Sequence, residues 1–233
     1  MTISRVSGQQ TVNVVYNTQI VLTLPNNPTP GNLVIVGIIS TSPITSVKDS
    51  SNNSYTSTPS SPFSIVSGYS LSIFYLQNAP SNATKTITII ISPLGVIYSY
   101  VSEVSGAAIS SVFEREATYN LATAQAVINA PTITTTNNGD YLFSIVFAGS
   151  NLVSVNSPWS GVSSLVNWAG AEDLIQSNAG SVTVAFTQVS SVGWSSMVAA
   201  FKAATSTPSG LLFHQSFMSG LDTGGPFFAN PIG

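Results

Sequence analysis

Short apolar runs rich in β-branched residues constrain the fold of this chain more than any other feature. Most runs are bounded by Gly, Pro, Asn or Ser, which is the pattern of β-strands separated by turns. The clusters PNNP at 25–28 and NNGD at 137–140 predict turns, because Asn, Asp, Gly and Pro adopt the required backbone angles. Only residues 121–127 have a helical pattern. The predicted strands are 11–16, 20–24, 33–40, 44–49, 71–76, 86–92, 96–104, 126–133, 141–148, 172–176, 181–188 and 195–202.

Two parts of the chain resemble each other. The sequence GNLVIV at 31–36 is similar to GDYLFS at 139–144, and each part ends in a long strand, 96–104 or 195–202. Two similar half-sandwiches around one core would produce this pattern, although β-proteins also repeat such motifs by chance. We therefore predict an all-β fold: an antiparallel two-sheet β-sandwich, jelly-roll-like, over residues 1–204. Its similar halves span about 31–106 and 139–204, and residues 205–233 form a C-terminal extension.

The charge content excludes one class of function and favours another. Charged residues make up 6% of the chain and hydrophobic residues 43%, whereas about 25% charged residues is usual. A net charge of −3 with five Lys plus Arg argues against nucleic acid, which requires a basic surface. A surface of hydroxyls and amides has little charge repulsion between copies. Such a surface suits a protein that packs against itself or lies among polysaccharides.

The chain contains no Cys, which excludes thiol catalysis, disulfides and thiolate metal sites. Residues 1–25 show no apolar segment behind a basic one, so no signal peptide is predicted. No run approaches the length of a transmembrane helix, and no membrane insertion is expected. Either a leader preceded this numbering, or the protein is released by lysis as virion proteins are.

The C-terminal extension differs in character from the rest. TSTPSG at 205–210 has a linker composition, yet the residues after it are strongly apolar. One interpretation is an edge strand of the same domain, and the other is an arm that docks on a neighbouring subunit. The residues predicted to make that docking contact are Leu211, Leu212, Phe213, Phe217, Met218, Leu221, Phe227 and Phe228.

The strings GNLVIV at 31–36, ITSVKDSSNNSY at 44–55, IFY at 73–75, SEVSG at 102–106 and AAFK at 199–202 resemble a recurrent β-sandwich module. It occurs in bacterial surface proteins, self-assembling extracellular fibres and phage structural proteins. The resemblance spans about residues 30–204 and rests on short, mostly structural motifs. It implies a scaffold or adhesive role without a common enzymatic activity.

Catalytic constellations are poorly represented. The only His is His214, and a base on a docking arm is unsuited to a Ser-His-Asp hydrolase, which needs a preorganised site. Asp49 with Asn52 and Asn53 offers oxygen ligands for Ca²⁺, but a turn rich in Asn has the same sequence. Nothing marks two carboxylates facing across a cleft, as glycosidases require. The sequence therefore predicts no enzyme, no metal site and no cofactor.

Three further groups have ordinary structural explanations. The pair Glu172–Asp173 is expected to be a solvated strand start, and 114–116 a solvated loop with weak ion pairs. Trp159, Trp168 and Trp194 could form a platform for stacking sugars, but Trp in a sandwich more often belongs to the core or its rim.

Glu103 and Lys202 are the most suggestive charges, because each lies in a terminal strand among apolar neighbours. We expect both to be largely buried, and each then needs a partner. One hypothesis is an ordinary ion pair between them. The other, drawn from the fibres that the chain resembles, is an isopeptide site. Lys202 would there attack an Asn amide, Asn230 being the first candidate, and Glu103 would relay protons.

We therefore expect a structural subunit of a homopolymer, most simply an extracellular cell-surface fibre in which the C-terminal extension docks into the next subunit. The partner is a second copy of the chain, with polysaccharide as an additional candidate. Two alternatives remain: a phage or virus capsid or decoration protein, and a carbohydrate-binding or adhesin module.

Overall fold

The computed structural model describes residues 2–65 and 68–205, and this part of the chain consists of strands joined by turns and loops, with no helix. It therefore contains no helix that is long and apolar enough to cross a membrane. The strands are β1 (Ser4–Thr23), β2 (Leu33–Ser40), β3 (Ile44–Asp49), β4 (Thr56–Ser57), β5 (Phe63–Ser64), β6 (Ser70–Leu76), β7 (Thr86–Ser105), β8 (Phe113–Ile128), β9 (Thr132–Thr135), β10 (Asp140–Ala148), β11 (Leu152–Val155), β12 (Ser160–Gly161), β13 (Ala169–Gln176), β14 (Gly180–Thr183) and β15 (Phe186–Phe201).

Two large antiparallel sheets pack together, which confirms the predicted β-sandwich. The first has the order β1-β7-β2-β6-β4, with β3 also paired to β7 and β5 to β6. The second has the order β11-β15-β10-β13-β12, with β8 also paired to β15, and β9 and β14 form a small ribbon. The first sheet uses only residues before 106, and the second only residues after 112.

The central core lies between the two sheets, where β2 and β10 are buried along their whole length. Alternate residues of a strand point to opposite faces. Ile35 and Ile39 of β2 accordingly meet Phe143 and Ile145 of β10 in one cluster. The apolar side chains that alternate with these four along each strand face away from the opposite sheet and join other clusters. A strand that is buried on both faces requires a nearly continuous apolar sequence.

Each sheet also folds over to enclose a core of its own. In the first half, Val36 and Ile38 of β2 pack with Ile87 and Ile89 of β7. This is possible because β7 pairs with β3 through its first part and with β2 through its second. In the second half, β15 pairs with β11 and then with β10. The domain therefore has three hydrophobic layers, one between the halves and one within each half.

The two halves have the same arrangement of strands. Strands β1, β7, β2, β6 and β4 correspond in order to β8, β15, β10, β13 and β12. Contacts between the sheets correspond too: Arg5 on β1 donates to the carbonyl of Gly161 on β12, and Glu116 on β8 accepts from the amide of Ser60, close after β4. The halves are thus related by an approximate two-fold rotation. The ranges 31–106 and 139–204, which are similar in sequence, contain most of these corresponding strands.

Gly37 allows β2 to approach β10 closely. A Cβ on Gly37 would lie 2.9 Å from Cε1 of Phe143 and closer still to Cγ2 of Ile145. Real Cβ atoms essentially never approach other atoms so closely, because the repulsion rises steeply inside contact distance. A side chain at this position would therefore push the two sheets apart.

Some predicted boundaries were wrong. The predicted strands 11–16 and 20–24 belong to one strand, β1, and 86–92 and 96–104 both belong to β7. These strands bend and shift register between Asn17 and Gln19 but keep their pairing, so polar residues at the bend do not end them. Residues 121–127, which look helical, lie within β8, where pairing with β15 outweighs local propensity. The C-terminal extension after Thr205 lies outside the described residues.

Candidate functional site

The outer strands β1 and β8 are the longest parts of the sandwich that have a hydrogen-bonded strand neighbour on one side only. In the described chain, β1 pairs with β7 alone and β8 with β15 alone. Neither residues 11–23 of β1 nor residues 117–128 of β8 include a charged residue or a proline. Natural edge strands are usually blunted by charge, proline or shortness. These two segments therefore lack all three protections, although β1 shifts register between Asn17 and Gln19.

Glu103, at the end of β7, is fully buried, as predicted. Its Oε2 accepts a hydrogen bond of 2.7 Å from Nε2 of Gln9. Its Oε1 accepts one of 2.8 Å from the backbone amide of Thr29 and one of 2.6 Å from Nδ2 of Asn32. The carboxylate therefore fastens β1, the 26–32 loop and β7 together.

Lys202 is not the partner of Glu103. Within residues 2–65 and 68–205, the ion pairs join Arg5 to Asp173 and Arg115 to Glu114. Lys202 is partly exposed, follows β15, and lines a cavity with Asn137 and Asn138. The hypothesis of an ion pair with Glu103 is therefore wrong, because donors other than Lys202 hold both oxygens of that carboxylate. The isopeptide hypothesis loses Glu103 as its proton relay, and Asn230 lies outside the described residues.

The positive charge of Lys202 acts on Asp140, which forms a pair of carboxyls with Glu114. Oε1 of Glu114 accepts from the amide and the hydroxyl of Thr136, at 2.7 and 2.6 Å. Burial raises the pKa of Asp140 to about 8, and both a hydrogen bond with Glu114 and the negative charge of Glu114 act in the same direction. Burial acts to raise the pKa of Glu114, but bonds from Asp140 and Thr136 outweigh it and hold that pKa below its ordinary value. These opposite shifts favour the protonated form of Asp140 and the ionised form of Glu114.

The surroundings of residues 114–116 differ from the prediction. Residues 114–116 are not a solvated loop, because they lie in β8 and their side chains are partly buried. Glu114 binds Thr136, and Glu116 binds the amide of Ser60 in the other half. Acidic side chains therefore connect β8 to its surroundings at both positions.

A second polar group joins the halves at the opposite margin. Nη1 of Arg5 lies 3.0 Å from Oδ2 of Asp173 and donates to the carbonyl of Gly161 at 2.8 Å. The hydroxyl of Tyr141 also donates to Asp173. Burial raises the pKa of Asp173, and the bonds from Tyr141 and Arg5 partly oppose that increase. These residues border a cavity of about 360 Å³.

Glu172 and Asp173 are not the solvated strand start that the sequence suggested, because they are 0% and 5% exposed. They are adjacent on β13 and therefore point to opposite faces. Glu172 accepts from the amide of Ala185 at 3.1 Å, and burial raises its pKa well above the ordinary value. The two carboxyls do not face each other across a cleft, which is the arrangement that a glycosidase needs.

The turn after β3 is held by Asp49. Its Oδ1 accepts from the amides of Ser51 and Asn53, and its Oδ2 from Nδ2 of Asn53 and the amide of Thr84. Both carboxylate oxygens are thus used by the turn itself, and Asn52 instead accepts from Nζ of Lys48. In the part of the chain that the structure describes, no cluster of three or more His, Cys, Asp or Glu side chains could hold a metal ion.

The three Trp residues do not form a platform. Trp159 and Trp194 belong to the core of the second half, and Trp159 donates from Nε1 to the carbonyl of Thr183 at 2.7 Å. Trp168 is 44% exposed and packs edge-on against Phe147. This placement agrees with the prediction that Trp in this sandwich is core or rim.

The outer strands, as free sheet edges, and the Glu114–Asp140 pair were not predicted from the sequence. The sequence did contain a signal for an unprotected outer strand, since residues 11–23 include no charged residue and no proline. The carboxyl pair depends on contacts between residues far apart in sequence. His214 and the apolar residues between Leu211 and Phe228 lie outside the described residues, so those predictions stay predictions.

Comparison with known proteins yields no match: no family model, no curated protein and no solved structure matches the chain. The resemblance to fibre and phage modules therefore rests on its short motifs alone.

Proposed function

We propose that this protein is a structural subunit that assembles with copies of itself, as an extracellular fibre. The observation that supports the proposal is the pair of long outer strands, β1 and β8, which carry no charge over residues 11–23 and 117–128. An unpaired strand edge presents a row of free N–H and C=O groups and is a template for pairing with another chain.

The polar chemistry of the domain supports a structural role. Glu103, Asp49 and Asp173 each use their carboxylate oxygens on neighbouring parts of the same chain. Buried carboxylates in such surroundings fix loops and hold the halves together, at the cost of desolvation. We propose that the protein is not an enzyme, and that these groups serve rigidity.

Low charge supports self-association in a second way. With five basic and eight acidic residues in 233, copies repel one another weakly. Exposed apolar side chains, including Tyr16 at 69% and Val189 at 67%, add surface that gains from burial between copies. The C-terminal extension is proposed as a further contact to the next subunit.

Sedimentation velocity over a range of concentrations, followed by electron microscopy of the largest species, tests this function. We expect the full-length protein to form filaments whose mean length grows with concentration. Closed particles of fixed size would instead favour a capsid or decoration protein. A monomer at every concentration would refute self-assembly, and a glycan array would then test the carbohydrate-binding alternative.

A further inference from the structure

We infer that copies join by pairing the outer strand β8 of one subunit with the outer strand β1 of the next, so that each sheet continues into a neighbour. This inference rests on the proposed function and adds to it the identity of the two contacting surfaces. The occupant of each strand edge is a second copy of the same chain.

Within the described residues, no second strand covers the outer edge of β1 or β8, although two side chains of β1 reach its own backbone. Asn13 accepts from the amide of Val14 and donates to the carbonyl of Val21, and Asn17 accepts from the amide of Thr18. In the described residues, no backbone hydrogen bond from a loop reaches either strand, and each has a single strand neighbour. Pairing is uninterrupted over residues 10–17 of β1 and 115–121 of β8. Seven residues correspond to roughly 24 Å of strand. Two edges of similar length are therefore available on every copy.

The margins of the two large sheets farthest from β1 and from β8 are protected by their shortness. Strands β4 and β12 have two residues each, and so short an edge offers few groups to an incoming strand. The start of β8 does carry charge: Glu116 accepts from the amide of Ser60, and the side chain of Arg115, whose Nε lies 3.7 Å from Oε1 of Glu114, is 41% exposed. The rest of β8 presents a neutral edge.

The two long edges lie on opposite sides of the sandwich. Arg5 places β1 over β12, which is the margin of the second sheet farthest from β8. Glu116 places β8 beside Ser60, near β4, which is the margin of the first sheet farthest from β1. A contact between unlike surfaces on opposite sides is heterologous and propagates as an open filament unless its rotation closes a ring. Pairing of β8 with β1 therefore explains a fibre without any further element.

Apolar side chains accompany both edges. Tyr16 on β1 is 69% exposed, and Tyr119 on β8 is 41% exposed. Aromatic and β-branched side chains on neighbouring strands contribute to sheet stability when they meet across the pair. Strand pairing between copies would bring these residues next to a second strand.

The test uses full-length protein with one lysine on either edge, Tyr16→Lys or Tyr119→Lys. A lysine on an edge must lose its hydration when a strand pairs there, and natural proteins use it to block such pairing. Val153→Lys, at a position 57% exposed on β11, is the matched control. Because Tyr119 packs against Trp194, Asn120→Lys serves as a second β8 variant, and circular dichroism verifies that each variant is folded.

Native mass spectrometry gives the result. We expect each edge variant alone to be a monomer, and an equimolar mixture of the β1 and β8 variants to form a two-chain complex, because each retains the edge that the other has lost. The control assembles as the parent does. Filaments from either variant alone, including filaments held by the C-terminal extension, would overturn the inference while leaving self-assembly intact. Homodimers of one variant would overturn it in favour of like-with-like pairing. A parent protein that never assembles would remove both proposals.

Discussion

Replacing Glu103 by Ala should destabilise the sandwich strongly. The change removes the acceptor for three donors, the side chains of Gln9 and Asn32 and the backbone amide of Thr29. A buried donor left without a partner costs about 1–3 kcal/mol. Because some of the donors can reorient and water can enter the space, we expect a total of about 3–5 kcal/mol, close to the cost of breaking a buried charged interaction.

Urea unfolding followed by circular dichroism measures this loss directly. For a domain of this size, each kcal/mol corresponds to about 2–4 °C in Tm, so the melting temperature should fall by about 6–20 °C. Glu103→Gln is the matched control, because its carbonyl can keep the bonds to Thr29 and Asn32, and it should lose less than the Ala variant. A loss below about 1 kcal/mol for Glu103→Ala would refute the view that this carboxylate fastens the loop and strands together.

Three further predictions concern the packing of the halves, pH and the C-terminal extension. Gly37→Val should lower the free energy of unfolding by about 1–3 kcal/mol or more, because the new side chain collides with Ile145; an unchanged urea midpoint would contradict the close approach of the sheets. Asp140 has a folded-state pKa of about 8 against an ordinary value of 3.8, so its contribution to stability is complete below pH 4 and is lost as the pH rises through 8. Urea unfolding between pH 4 and pH 8 should therefore show a smaller decrease in the free energy of unfolding with rising pH for Asp140→Asn than for the parent, and equal decreases would argue against the raised pKa of Asp140. Deletion of residues 211–233 should leave the β-sheet circular dichroism signal and remove the contribution of the extension to assembly; loss of that signal would show that the extension belongs to its own domain.

The sequence was sufficient to predict the sandwich, because alternation, β-branched runs and turn residues are local signals. It also indicated that Glu103 is buried, since a lone carboxyl within an apolar strand is visible without coordinates. It could not identify the partner of Glu103, because Gln9 and Asn32 are distant in sequence and are brought together only by the pairing of β1, β7 and β2.

The wrong predictions about the acidic residues at 114–116 and 172–173 share one physical cause. Adjacent acids such as 172–173, and the charged run 114–116, look solvated when charge is considered locally. In the fold, the opposite half supplies Arg5 for Asp173 and the amide of Ser60 for Glu116. Contacts between the halves therefore decide the environment of these charges, and no local pattern encodes them.

Backbone hydrogen exchange at the two outer strands tests the central claim most directly. In dilute solution, the amides on the outer edges of residues 10–17 and 115–121 should exchange quickly, because no strand covers them in the described fold. On assembly, both segments should become protected together, while the short strands β4 and β12 keep their exchange rates. Unchanged exchange of β1 and β8 in samples that have assembled would contradict the account.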